Sequence, residues 1–106
     1  MGLSKAILFS EEHNRLASLA KVFAHPARIV ILEYLFKNRT CAVNGLLEEL
    51  PLSQSTISQH LKEMKNAGVV KGEIDGATIC YCLNPEVVKE LSDRLNQLVS
   101  NLNTCC

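Results

Sequence analysis

Nowhere in the 106 residues does an apolar run approach the roughly 20 residues that a bilayer-spanning helix needs. The opening Met1-Gly2-Leu3-Ser4-Lys5-Ala6 lacks a long apolar signal region with a small-residue cleavage site. Ala6 stands where a myristoylation signal requires Ser or Thr, and Cys105-Cys106 does not form a prenylation box. These absences lead us to expect a cytoplasmic protein with no membrane partner. There is no glycine-rich phosphate loop, no metal-ligand histidine cluster, and no nucleophile–base pairing in a recognisable context. An enzyme, or a protein with a required cofactor, is therefore not expected.

Net charge is also missing, since eleven basic residues balance eleven acidic ones. The chain thus lacks the overall basic excess of a nonspecific nucleic-acid binder. The balance is uneven, however: between residues 53 and 72, Lys62, Lys65 and Lys71 face Glu63 alone. Local charge decides whether a surface attracts phosphate, so duplex DNA stays open as a partner. The five cysteines are odd in number and lack a secretory context, which argues against a disulfide framework.

The length fits one domain over residues 1–106. Residues 10–23 read as a helix capped by Ser10, with Leu16, Leu19, Ala20 and Phe23 at helical spacing. Pro26 suits the first turn of a second helix reaching about Lys37. That helix is apolar on nearly every side, which predicts a central, buried element. A short helix at about 44–50 follows, stopped by Pro51. Ser53 then caps a helix at about 54–67, with Leu52 and Ile57 spaced for a hydrophobic staple. Gly68 and Val69 have the pattern of a Schellman ending. Val69–Ile74 and Ala77–Leu83 flank Asp75-Gly76, a strong hairpin signal. Pro85 opens a last helix, to about Leu102, with a wide apolar face. The expected class is mainly α with a small β-hairpin (α+β), about five helices and two strands.

A short helix, a tight turn and a longer helix with a polar side describe a helix-turn-helix, at about 44–67, with the hairpin at about 69–83 as a wing. At about 100° per residue, Ile57, Leu61 and Met64 fall on one side and must face the core. Opposite lie Ser55, Gln59, Lys62 and Asn66, with Thr56 and Ser58 on the flanks. Gln can bond adenine bidentately, and short hydroxyls can reach base edges or phosphates. The candidate DNA-contacting residues are Gln54, Ser55, Thr56, Ser58, Gln59, His60, Lys62 and Lys71. His60 lies beside the core stripe, so a structural histidine and a DNA contact both fit. Arg28 is a further candidate for phosphate. A solvated polar face on an ordinary helix, or a module that binds only protein, would show the same polarity.

Leu19 to Arg28 (with Ala24-His25-Pro26-Ala27-Arg28), Leu52 to Leu61 (Leu-Ser-Gln-Ser-Thr-Ile-Ser-Gln-His-Leu), Lys65 to Val70 and Tyr81 together resemble the ArsR/SmtB family of winged-helix repressors. The resemblance covers nearly the whole chain, and residues 52–61 match the family's recognition helix almost residue for residue. It implies a homodimer joined through the first helix and the C-terminal helix at about 85–102, which represses by binding operator DNA and dissociates when an inducer binds. The broad apolar face of the last helix points the same way independently.

The inducer is read from the cysteines. Many arsenic sensors of the family carry a Cys-x-Cys just before or within the first helix of the helix-turn-helix; Cys41 matches the first cysteine, but Val43 stands at the second. Zinc sensors use His and carboxylates on the last helix, and residues 84–106 contain no histidine. In the second wing strand, Ile79, Tyr81 and Leu83 alternate with Cys80 and Cys82, placing both sulfurs on the less buried face. Cys105 and Cys106 add a second pair, which a flexible tail could bring to another site. Three thiolates suit As(III) or Sb(III), so the candidate inducer-binding residues are Cys80, Cys82, Cys105, Cys106 and Cys41. A redox or persulfide switch on the same thiols, and cysteines that merely fill their positions, stay open beside it.

Overall fold

The computed structural model describes residues 5–38, 50–75 and 78–104. A 3-10 turn, Lys5–Leu8, leads into α1 (Glu11–Val22) and α2 (Pro26–Asn38). After Leu50 come α3 (Gln54–Asn66), the strands β1 (Val70–Asp75) and β2 (Thr78–Leu83), and α4 (Pro85–Leu102). The described residues thus hold four α-helices where about five were expected. The helix expected at 44–50 falls almost wholly in 39–49, outside the described residues, as does the Gly76 of the hairpin turn.

Helix boundaries follow the local chemistry. The Ser10 hydroxyl accepts from the His13 N–H at 3.1 Å, satisfying one orphan donor of α1. Ser53 does the same for the Thr56 N–H at 3.3 Å. At the far end of α3, Gly68 takes a φ of 89°, the left-handed conformation that a Cβ disfavours. That turn brings the Val69 N–H to the Met64 carbonyl (3.1 Å) and the Gly68 N–H to that of Lys65 (2.9 Å), the two bonds of a Schellman ending. Asn84 caps α4 by position alone, because its side chain makes no capping bond.

One core joins the helices. Leu19 and Val22 of α1, Ile31, Leu32 and Leu35 of α2, and Ile57, Leu61 and Met64 of α3 bury together with Val69, Val70 and Leu91. The expectation that α2 is buried on nearly every side needs correcting. Ile29 is 39% exposed and Phe36 61% exposed, with Glu33 beside them. These residues share the helical side opposite Ile31 and Leu35, and no described element covers it. α1 and α4 pack on each other beside this core. Arg15 donates from Nε and Nη2 to both Glu90 oxygens, at 3.0 and 3.1 Å, and from Nη1 to the Ala67 carbonyl at 3.3 Å.

The strands form an antiparallel pair in which Val70, Lys71, Gly72 and Glu73 oppose Leu83, Cys82, Tyr81 and Cys80. Directly paired residues share a face and successive residues alternate. Val70, Tyr81 and Leu83 therefore turn to the core, as their burial shows. Lys71, Cys80 and Cys82 take the other side.

Candidate nucleic-acid interface

α3 is amphipathic in the sense its sequence dictates. Ile57, Leu61 and Met64 are 3%, 1% and 0% exposed, so the helix is seated by one apolar stripe. Gln54, Ser55, Thr56, Ser58, Gln59, Lys62 and Asn66 are all exposed. The structure brings seven of the eight candidate contact residues to solvent: six on α3 and Lys71 on β1. Around the N-cap, the Ser53 hydroxyl lies 3.1 Å from that of Ser55 and 3.0 Å from that of Thr56. The hydroxyls at the positive end of the helix are thus already ordered into one cluster, where an anion is electrostatically favoured.

Lys65 counts in the sequence only toward the local positive charge and is not among the candidate contact residues, yet it lies exposed on the same helix. Its exposed side chain crosses from α3 to β1, where a Cβ on Gly72 would stand 3.1 Å from its Cδ and 3.2 Å from its Nζ. Gly72 is the signal in the sequence: a residue without a side chain leaves room for the lysine. Lys65 of α3 and Lys71 of β1 thus add two exposed cations on the elements beside the N-terminal hydroxyls, on opposite faces of the strand.

His60 stands apart from that face. It is half-buried, and its Nδ1 accepts from Arg28 Nε at 3.0 Å, while its ring centroid lies 4.6 Å from that of His25. Burial, then the positive Arg28, then His25, push its pKa below the ordinary histidine value; Glu63 opposes them weakly. Arg28 is not a surface cation either. It is 8% exposed, the one buried charged residue among those described, and its Nη2 donates to Glu63 on α3. Its expected role as a free phosphate contact therefore gives way to an internal one. A buried guanidinium needs paired acceptors, and α3 supplies two.

The cysteines divide unequally. Cys80 is a half-buried free thiol, whereas Cys82, two residues along the same face, is disulfide-bonded. Cys41, Cys105 and Cys106 also lie outside them. Among the described residues no group of three or more His, Cys, Asp or Glu is placed to hold a metal ion. No helix of the described residues is long and apolar enough to cross a membrane.

Comparison with known proteins agrees with this geometry. The family described as bacterial regulatory protein, arsR family, matches residues 25–71, from the start of α2 through α3 to the first strand. An uncharacterised helix-turn-helix transcriptional regulator of Methanocaldococcus jannaschii is 34% identical over 88 residues, covering 83% of this chain and 99% of the relative. An arsenical resistance operon repressor of Staphylococcus xylosus is 33% identical over 92 residues, 87% of this chain and 84% of that one. Among solved structures, the homodimeric winged helix-turn-helix DNA-binding domain from Mycobacterium bovis superposes with a TM-score of 0.65 at 24% identity, over 99% of this chain and 94% of that domain.

Proposed function

This chain belongs to the ArsR family of bacterial regulatory proteins, and on that premise we propose that it is a dimeric repressor reading operator DNA with the exposed side of α3. One observation carries the reading: of the α3 residues able to bond base edges, all but His60 are outside, while the stripe that seats the helix is all inside. α3 is a rod long enough to lie in a major groove, with Gln54 to Gln59 in its leading turns. Lys62, Lys65 and Lys71 then sit at the margins, where phosphates run. The dimer is formed by α1 and α4. On α4 Leu98, Val99 and Leu102 stay exposed in the single chain, and Ile7, Leu8 and Phe9 precede α1 as a second uncovered apolar group.

The inducer in this reading is a thiophilic metalloid, As(III) or Sb(III). Cys80 and Cys82 share a strand face with Lys71, so once the Cys82 disulfide is reduced to a thiol, a ligand on those sulfurs acts on a DNA-contacting element. A third sulfur would come from Cys41, Cys105 or Cys106. The similarity to an arsenical resistance repressor supports this choice. The disulfide at Cys82 favours a second reading, in which two thiols give up two electrons and two protons to an oxidant and the bond itself is the signal.

The test is binding to a duplex selected by this chain from a random-sequence library, followed by fluorescence anisotropy. Arsenite that releases the reduced protein, but not Cys80→Ser/Cys82→Ser, supports the metalloid. Release by diamide, reversed by dithiothreitol and indifferent to arsenite, selects the redox reading. Absence of any selected duplex at low salt would overturn DNA binding itself.

A further inference from the structure

Packing against the apolar stripe sets which side of α3 faces the core, but burial itself has no preferred direction, so directional contacts are what refine the angle about the helix axis. A directional contact exists on the flank of that helix. His60 and Glu63, three residues apart and hence neighbours on the helix surface, both accept from Arg28 of α2: the imidazole Nδ1 from Nε, the carboxylate from Nη2. The arginine is itself held in a rigid setting. It lies in the first turn of α2, where the Ala27 N–H donates to His25 Nδ1 at 3.0 Å, and the His25 ring packs at 59° against that of His60. The two clamped positions each stand one residue after a residue proposed to meet DNA, Gln59 at the base edges before His60 and Lys62 at the phosphates before Glu63. Adjacent residues on a helix point about 100° apart, so fixing 60 and 63 fixes the direction of 59 and 62.

We infer that Arg28 is a positioning residue for DNA recognition, its guanidinium setting the rotation of α3 and hence the angle at which Gln59 and Lys62 are presented. The inference rests on the DNA-binding reading above. The fork of the guanidinium is essential to it. Lysine offers a point charge and cannot present two donors in fixed directions to an imidazole and a carboxylate at once. Loss of the clamp should therefore loosen the rotation while leaving the apolar seat intact. Base-edge contacts, which need tight geometry, suffer; phosphate attraction, which does not, survives.

The experiment measures R28K and E63Q in the full chain by anisotropy, against the library-selected duplex and against a scrambled duplex of equal length at low salt. Melting temperature and sedimentation are followed in parallel. The expected result is a loss of about tenfold or more for the selected duplex, with affinity for the scrambled duplex within about threefold of the parent, so that the ratio of the two falls. Glu63 is partly exposed, so E63Q keeps the test decisive if R28K fails to fold. An unchanged ratio in a folded, dimeric variant overturns the inference and leaves DNA binding standing. A parent chain that selects no duplex overturns the reading beneath it instead.

Discussion

Arg15 on α1 holds Glu90 on α4 through both carboxylate oxygens, and the same guanidinium reaches the Ala67 carbonyl at the end of α3. α4, which carries exposed apolar residues, and α1, which directly follows another such group, are thereby tied to the end of the helix proposed to read DNA. The Arg15 guanidinium, hydrogen-bonded to the Glu90 carboxylate, holds that carboxyl below its usual range. A depressed carboxyl pKa means stability that is fully present above the unfolded value of about 4.3 and lost as pH falls through the folded value. Melting temperature should therefore fall on the acid side of about pH 4.3 in the parent and fall less in Glu90→Gln. Equal acid slopes in the two proteins would show the pair to be without thermodynamic weight.

His60 titrates in a higher window. Its folded pKa lies below the ordinary value of about 6.5, so the unfolded chain binds the proton more readily. Stability from the neutral ring is present above pH 6.5 and is lost as pH drops through the depressed value. Protonation at Nδ1 also removes the acceptor that Arg28 uses, with His25 and Glu63 the other titratable groups facing the ring. Melting curves between pH 5 and 8 should show an acid-side loss for the parent that His60→Gln lacks.

The two capped helices offer a contrast. Ser53 accepts the Thr56 N–H, and Ser53→Ala should cost about 1 kcal/mol in urea unfolding. Asn84 caps nothing with its side chain, and its Oδ1 is buried without a hydrogen-bond partner among the described residues. Asn84→Ala should accordingly cost about 0.5 kcal/mol or less, below the usual range for losing a cap. Equal losses at the two sites would contradict the assigned cap geometry.

Seating and reading should separate on α3. Leu61, buried among the three helices, should lose about 2–5 kcal/mol on replacement by Ala. Exposed Gln59→Ala should leave the unfolding midpoint in place while relaxing sequence preference by about 1–3 kcal/mol. Lys62→Ala should weaken all duplexes alike and lower the salt slope by about 1. A stability loss at Gln59 matching that at Leu61 would place its side chain inside, against the structure.

A charge placed on α4 should act on assembly. Val99 and Leu102 are 57% and 63% exposed in the single chain. Val99→Glu should therefore yield monomers by sedimentation, with little change in far-ultraviolet circular dichroism. A variant that sediments as the parent does would exclude this face from the dimer contact.

The local signals were the most legible. Ser10, Ser53 and Gly68 mark their helix ends because capping and left-handed turns depend on residues within a few positions of one another. The inside and outside of α3 follow from a single period. The alternation of β2 likewise sets Tyr81 and Leu83 inward and Cys80 and Cys82 on the opposite face. What could not be read was pairing across the chain. Arg28 looks like an ordinary surface cation until Glu63 and His60, more than thirty residues away, are brought to it. Lys65 gains its place only when β1 folds back and Gly72 makes room. The side of α2 bearing Ile29 and Phe36 was not legible because an apolar helix does not by itself show which of its sides the rest of the chain covers.

Gly68 is followed at once by Val69 and Val70, 0% and 2% exposed, and the Asn84 N–H returns to the Val69 carbonyl at 2.8 Å. The ribbon is thus bolted at its root to the same interior as the rod before it, with no slack between them. The two behave as one lever. On the proposed function, a bond made or broken at Cys80 or Cys82 would pull on an arm whose other end is α3, and the signal would need no separate relay to arrive there.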